Sequence, residues 1–552
     1  MKRHLQDVGS AIADHNGKWN PCFVRWSAIA DPTSLKTDQH HREGVVLIVV
    51  LVLVMMVALA GFGFLSAMST EYEAAKINGQ LIQAQQTLAS AETMLLWITE
   101  QSKQQPETVD GLLKQPEFFR GRSIQSNAEG EQIAEMSEAA ISSANSWRFS
   151  VIHPVTRRAS SKLQFGLQDE SARLHLAMVL GWEQAEAGTG RAALMQLPGM
   201  SESIADAMLD WIDADDQARE FGAESDYYQR LDKPYKPRNG IPETVDELLF
   251  VKGVTRELLH GMTAGTGDEF GISESESVTD WTQLLTCTSA ESNLTSAGNS
   301  KINLNSTDLE KLHQALSAQF DESLVRYIIL ARQYGVSFAD ENSSTSTASG
   351  STGEIGFSLS KESQFSIASP ALLIDSYVEV PSGRTKQRIP SPLQSNSPDF
   401  MEMVDLLYSQ TTTIPDEIIV GRININLASE TVLRAIPEMS TETASQIVQQ
   451  RDSLEESERG NSAWLLSHQV VTAEQYRKWF PYITTGGDVF TGEIVVFRKT
   501  GGPFLRRKLT IDASKRSTSV VDWIDLTDQG LPAALSLLSQ SEAGESQFSE
   551  TN

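Results

Sequence analysis

The sequence predicts an α+β fold. It has an N-terminal membrane helix continuing as a stem, an antiparallel β-sheet, and a large inserted α domain. Three observations carry this. No charged residue occurs from Gly44 to Thr70, a run long enough to span ~30 Å of hydrocarbon as a helix. Beyond that run, stretches with β character lie near both ends of the chain. The long stretch between them reads as helical and repeats itself.

Residues 1–44 form a polar leader with six Lys/Arg and five Asp/Glu, while Glu71 and Glu73 follow the apolar run. Lys/Arg bias sets orientation, so the N-terminus is expected to be cytoplasmic and the bulk exported. The membrane helix is assigned to 45–70. It continues into EYEAAKINGQLIQAQQTLASAETMLLWI, where Leu81, Leu88, Met94, Leu95 and Ile98 fall at helical spacings, so the stem is carried to 98.

Residues 99–180 are expected to form a β region. Trp147, Phe149 and Val151 alternate, as do Leu163, Phe165 and Leu167, and HPVTRRASS separates the two runs like a hairpin turn. The inserted helical domain is assigned to 181–335. Within it LPGMSESIADAMLDWID (197–213) aligns without gaps to IPEMSTETASQIVQQRD (436–452), and FVKGVTRELLHGM (250–262) is a shorter relative. INLNS (302–306) is echoed by INLAS (425–429). These read as helix-hairpin-helix (SAM-like) units. Residues 336–420, rich in Ser, Thr and Pro, are expected to be a flexible linker. A second hairpin unit is placed at 421–485, three antiparallel strands at 486–530 with a turn at Gly501-Gly502, and a disordered acidic tail at 531–552.

Composition excludes several functions. The chain has 72 acidic and 45 basic residues, a formal charge of −27. That balance argues against a nucleic-acid partner, since phosphate is bound mainly by Lys and Arg. Cys22 and Cys287 are the only cysteines, too few for a disulfide scaffold or a multi-cysteine metal centre. No nucleophile elbow or HExxH motif occurs, and His153, His175, His260, His313 and His468 stand singly. No enzymatic activity is expected.

The densest chemistry is acidic. Asp210, Asp213, Asp215, Asp216, Glu220, Glu224 and Asp226 place seven carboxylates in seventeen residues. Asp210 and Asp213 share a helix face at i, i+3. Crowded carboxylates repel unless a cation neutralises them. Calcium takes six to eight oxygens and suits such a set, although the EF-hand spacing is absent. A solvated acidic loop is the competing reading.

Arg42-Glu43-Gly44-Val45 opens the apolar run, and Val49 comes four residues after Val45. This junction resembles the cleavage site of type IV prepilins and pseudopilins, and Val49 stands where most pilins carry Glu. Downstream lie the collinear segments LQFGLQDESARLHL, LPGMSESIADAMLDWIDADD, GAESDYYQRLDKPYKPRNG, TVDELLFVKGVTRELL and KINLNSTDLEKL. With the junction, over roughly 42–335, they resemble the minor pseudopilin K family of type II secretion systems. The resemblance implies a pilin-like fold, cleavage after Gly44 by prepilin peptidase and N-methylation at Val45. It implies an inner-membrane protein with its bulk in the periplasm. Its partners would be the minor pseudopilins I and J and the major pseudopilin, and its place the pseudopilus tip. By motif position it carries calcium to Asp210, Asp213, Asp215, Asp216 and Glu224. Glu438 departs from the pattern, standing where a hairpin carries Gly. Two alternatives stay open on the sequence. One is a membrane-anchored helix-hairpin-helix DNA-binding protein, for which Lys252 and Arg256 of VKGVTRE speak. The other is a generic membrane-anchored scaffold.

Overall fold

A computed structural model describes residues 43–104, 116–123, 146–153, 164–261, 280–338, 358–359, 361–382, 385–498 and 500–532. The leader up to residue 42, the hairpin turn expected within 154–163, the Ser/Thr-rich segment 339–357 and the tail beyond 532 lie outside them. The chain divides into two compact units, Met1–Ala75 and Lys76–Asn552.

The described part of the first unit is one helix. It begins at Glu43 and belongs to a helix that runs to Gln104, six residues beyond the expected end of the stem. The helix is long and apolar enough to cross a membrane, with its apolar window fully exposed.

In the second unit this helix packs on a sheet. Ala84, Leu88, Ala91 and Leu95, spaced by four, three and four residues, are buried against Phe149, Val151, Ile494, Val496, Leu509 and Ile511. Of the expected apolar face, Leu88, Leu95 and Ile98 are buried, but Leu81 is exposed and Met94 half-buried, while two alanines occupy the seam. Small side chains let the helix backbone approach the sheet. Trp147 Nε1 donates to Gln83 Oε1 at 2.9 Å and Arg507 Nη1 to Glu92 Oε1 at 2.7 Å, which fixes the helix lengthwise.

The sheet is antiparallel, in the order Arg122–Ser123, Trp147–Ile152, Val489–Arg498, Leu505–Asp512, Ser519–Asp525. Gln168–Asp169 also pairs with the central strand, through Phe490 and Thr491. The expected hairpin between the 147–152 and 163–167 runs is thus only partly formed. Phe165 makes a single bridge to Ile152, and the chain then turns onto the other strand. Gly501 and Gly502 both have positive φ, 76° and 109°, in the turn that joins Val489–Arg498 to Leu505–Asp512.

The chain leaves this sheet after Asp169 and returns at Val489. The insert is therefore larger than the 181–335 expected. Its described residues form three copies of one module. Each opens with a two-residue strand and closes on another that pairs with it in parallel: Leu174–His175 with Leu285–Thr286, Ile302–Asn303 with Thr411–Thr412, and Ile423–Asn424 with Ile483–Thr484. In each opening strand the second side chain accepts the amide two residues on. His175 Nδ1 takes Ala177 N–H at 2.9 Å, Asn303 Oδ1 takes Asn305 N–H at 2.8 Å, and Asn424 Oδ1 takes Asn426 N–H at 2.9 Å. Each closing threonine does likewise with Thr288, Ile414 and Gly486. Polar side chains there do the work of a turn.

The linker expected at 336–420 is largely folded. Ser376–Ser382 pairs with Thr385–Pro390 and with Ser337–Phe338. Ile374, Val378, Val380, Leu393, Phe400, Val404 and Leu407 are buried in the main core. Tyr327 and Ser376 hydroxyls lie 2.7 Å apart across the boundary. Ser and Pro content concealed an alternating apolar face. At the other end of the chain, Leu531, placed in the expected tail, packs against Ile152 and Val495.

Candidate metal centre

In the first module, Thr189–Leu194 and Glu202–Ile212 are helices joined by the turn Leu197-Pro-Gly-Met. Gly199 has φ 71°, a conformation that costs a residue with Cβ. Ser201 caps the second helix by accepting Ile204 N–H. That helix is buried along its whole inner side, including Asp206 and Asp210, each 0% exposed.

Buried carboxylates need partners. Asp206 is held by the Arg191 guanidinium through two bonds of 2.6 and 2.5 Å. Asp210 accepts Ala223 N–H at 2.8 Å and Arg219 N–H at 3.2 Å. Arg219 Nη1 bridges Asp210 Oδ1 and Asp213 Oδ2, at 2.6 Å each. Asp213 caps the helix C-terminus with φ −80° and ψ 176°. The loop then returns, and Glu224 starts the turn Ser225–Tyr228. Gly222 is required here: a Cβ would collide with Asp210 Oδ2.

The result is a triad. Ligand oxygens of Asp210, Asp213 and Glu224 all lie within 4.8 Å of one another, and all three residues are buried. Arg219 does not satisfy it. Asp213 Oδ1 and both Glu224 oxygens are buried with no hydrogen-bond partner. Burial, then the neighbouring Asp210 and Asp213, push the Glu224 carboxyl up to about 8. Burial also raises Asp210 and Asp213 despite Arg219. Three convergent carboxylates with three unpaired oxygens fit a hard divalent cation, for which calcium chemistry is suited.

Of the five expected ligands, these three converge and two do not. Asp215 and Asp216 are exposed. Asp215 accepts Gln217 N–H at 2.9 Å, and Asp216 accepts Ser225 N–H at 3.2 Å, which lowers its carboxyl. They shape the loop. Sequence reasoning missed Arg219, Arg191 and Asp206. The signal for Asp206 was its i, i+4 spacing to Asp210; a lone arginine inside seven carboxylates was the signal for Arg219.

The other singled-out residues are elsewhere. Gly44 and Val45 are the second and third residues of the long helix. Lys252, from VKGVTRE, donates to the carbonyls of Phe221 and Gly222, both at 3.0 Å, and lies over the Tyr227 ring. It braces the carboxylate loop. Arg256 is exposed. Burial raises the Cys287 thiol to about 12, so it stays protonated at neutral pH.

An apolar N-terminal helix, an antiparallel sheet and a helical insert make this an α+β protein, an arrangement consistent with a pseudopilin-like fold. Residues 174–263, which hold the whole triad, match the family model of type II secretion system (T2SS) protein K. The resemblance to protein K is borne out over that segment of the chain. The solved GspK–GspI–GspJ complex of the enterotoxigenic Escherichia coli type 2 secretion system is also similar. It matches 82% of this chain and 98% of that one, at 11% identity and TM-score 0.37. No curated protein matches the chain.

Proposed function

We propose that this chain is a minor pseudopilin, cut after Gly44 by prepilin peptidase, N-methylated at Val45 and placed at the tip of the pseudopilus. The observation that carries the reading is the protein K match over 174–263, in a chain whose apolar run opens at Gly44-Val45, one residue into a long helix. Val49 offers no carboxylate to the terminal amine of a neighbour. A subunit lacking it suits the end of a filament, where no further subunit sits above. The insert between Asp169 and Val489 adds bulk that suits a cap. Minor pseudopilins I and J are its natural partners, as K, I and J form a complex in the related system; the major pseudopilin would lie below. The N-terminus is cytoplasmic before cleavage and the bulk periplasmic.

In this reading Asp210, Asp213 and Glu224 hold calcium. The ion would neutralise the carboxylates that Arg219 leaves unpaired and pin the loop to the helix end. Its role is structural.

Co-expression with a prepilin peptidase tests the central claim. Mass spectrometry should find Val45 as the N-terminal residue, and Gly44→Ala should leave the precursor uncut. A mature N-terminus elsewhere in the apolar run would point to an ordinary signal or anchor.

A further inference from the structure

The carboxylate triad already contains a cation, and it is covalently attached. Arg219 Nη1 sits 2.6 Å from Asp210 Oδ1 and 2.6 Å from Asp213 Oδ2. A calcium ion bound to the three carboxylates would lie ~2.3–2.6 Å from the same oxygens. The two positive groups would then stand within about 5 Å of each other in a poorly solvated pocket, where repulsion is strong. They compete for the same atoms.

We propose that Arg219 is a tethered stand-in for the metal: it fills the site when no divalent cation is available and swings out when one binds. This rests on the reading of the triad as a cation site.

Three features make the exchange workable. The Arg219 side chain is 23% exposed, whereas Asp210 and Asp213 side chains are 0% and 10% exposed, so the guanidinium has a path to water that the carboxylates lack. The loop does not rest on the guanidinium alone. Backbone amides of Arg219 and Ala223 hold Asp210, the Phe221 amide holds Asp206, and Lys252 holds the carbonyls of 221 and 222. And the stand-in is incomplete. One charge against three carboxylates leaves both Glu224 oxygens and Asp213 Oδ1 unpaired, so a divalent ion gains contacts that Arg219 cannot make. The domain can thus fold without metal and take one up where it is plentiful.

The test is calcium titration of the full-length protein in detergent, by calorimetry and by terbium luminescence. Trp211 serves as the sensitiser, since it packs 5.3 Å from Tyr228 beside the loop. Arg219→Gln should bind calcium at least roughly tenfold more tightly than wild type, a difference of about 1.4 kcal/mol. It should also melt at lower temperature in chelator. Arg219→Lys keeps the charge on a more flexible stem and should fall between the two. Binding by Arg219→Gln alone overturns the exchange, because Arg219 would then be a permanent occupant that never swings out. Unchanged or weaker calcium binding in Arg219→Gln, with wild type binding, overturns it: the arginine would then be positioning ligands. If neither protein binds calcium, the cation reading itself falls and takes this proposal with it.

Discussion

The hairpin at 197–213 and its copy at 436–452 have one architecture and two chemistries. Both pair a short helix with a longer one across a Pro-containing turn. In both, a buried tryptophan closes the turn: Trp281 Nε1 donates to Pro198 O at 2.9 Å and Trp479 Nε1 to Pro437 O at 3.0 Å. Ser201 and Ser440 both cap the second helix. The difference lies at the far end of that helix. Where the first has Asp210, Ile212 and Asp213, the copy has Gln449, Arg451 and Asp452. Arg451 reaches back to the carbonyls of Ile425 and Ala428, as Arg332 of the second module reaches those of Asn305 and Ser306. An internal arginine thus ties helix to opening strand in modules two and three. In module one that arginine is absent, the carboxylates converge, and the ligand-type chemistry appears. The scaffold is common to all three; the chemistry at one helix end is not.

Giving the first module the residue of its copy should therefore produce the largest effect. Asp210→Gln introduces the counterpart of Gln449. If calcium is held at about a hundred times its dissociation constant, wild type gains ~2.7 kcal/mol from binding. The variant should lose that gain, so its melting temperature should be the same with calcium as with chelator. An undiminished calcium shift in Asp210→Gln would place the ion elsewhere.

The turns offer a smaller contrast. Gly199 at φ 71° and Glu438 at φ 60° occupy the same left-handed position. Gly199→Ala should destabilise by about 1 kcal/mol, because Cβ is strained there. Glu438→Gly relieves similar strain. It also adds freedom to the unfolded chain and removes the exposed ion pair with Lys478, which is worth about 0–1 kcal/mol. The terms nearly cancel, and the expected change is within about 0.5 kcal/mol. Thermal melts of the two variants in chelator check this; a large loss in Glu438→Gly would mean that the ion pair carries the turn.

The same comparison explains what the sequence could reveal. INLNS and INLAS share letters, and so do the two Pro-Met-Ser turns, so two copies were visible. The first opening strand reads LHL. His175 does the work of Asn303 and Asn424 with a ring nitrogen in place of an amide oxygen, and letter matching does not see that. The i, i+3 spacing found Asp210 and Asp213. Charge density also drew in Asp215 and Asp216, which face water, because density does not distinguish a wall from a rim. Glu224 reaches the triad only because Gly222 lets the loop close on Asp210. In the supposed linker, apolar residues spaced among Ser and Pro bury themselves only once Tyr327 and Ile328 lie beneath them.

That substitution of histidine for asparagine gives the smallest and most specific contrast. Burial lowers the His175 pKa from 6.5 to about 4, against opposing effects from the Cys287 backbone and Glu170. Its Nδ1 must stay unprotonated to accept the Ala177 amide. Protonation therefore favours the unfolded chain. The contribution of the neutral His175 is fully present above its unfolded value of 6.5 and is lost progressively as pH falls towards 4. At about pH 5.5 the loss is roughly 1 kcal/mol. Asn303 and Asn424 make the equivalent bond without titrating. His175→Asn should thus keep the cap while removing this part of the acid sensitivity, narrowing the gap between melting temperatures measured near pH 7 and near pH 5.5. If variant and wild type change in stability by the same amount over that interval, His175 is not held neutral in the fold.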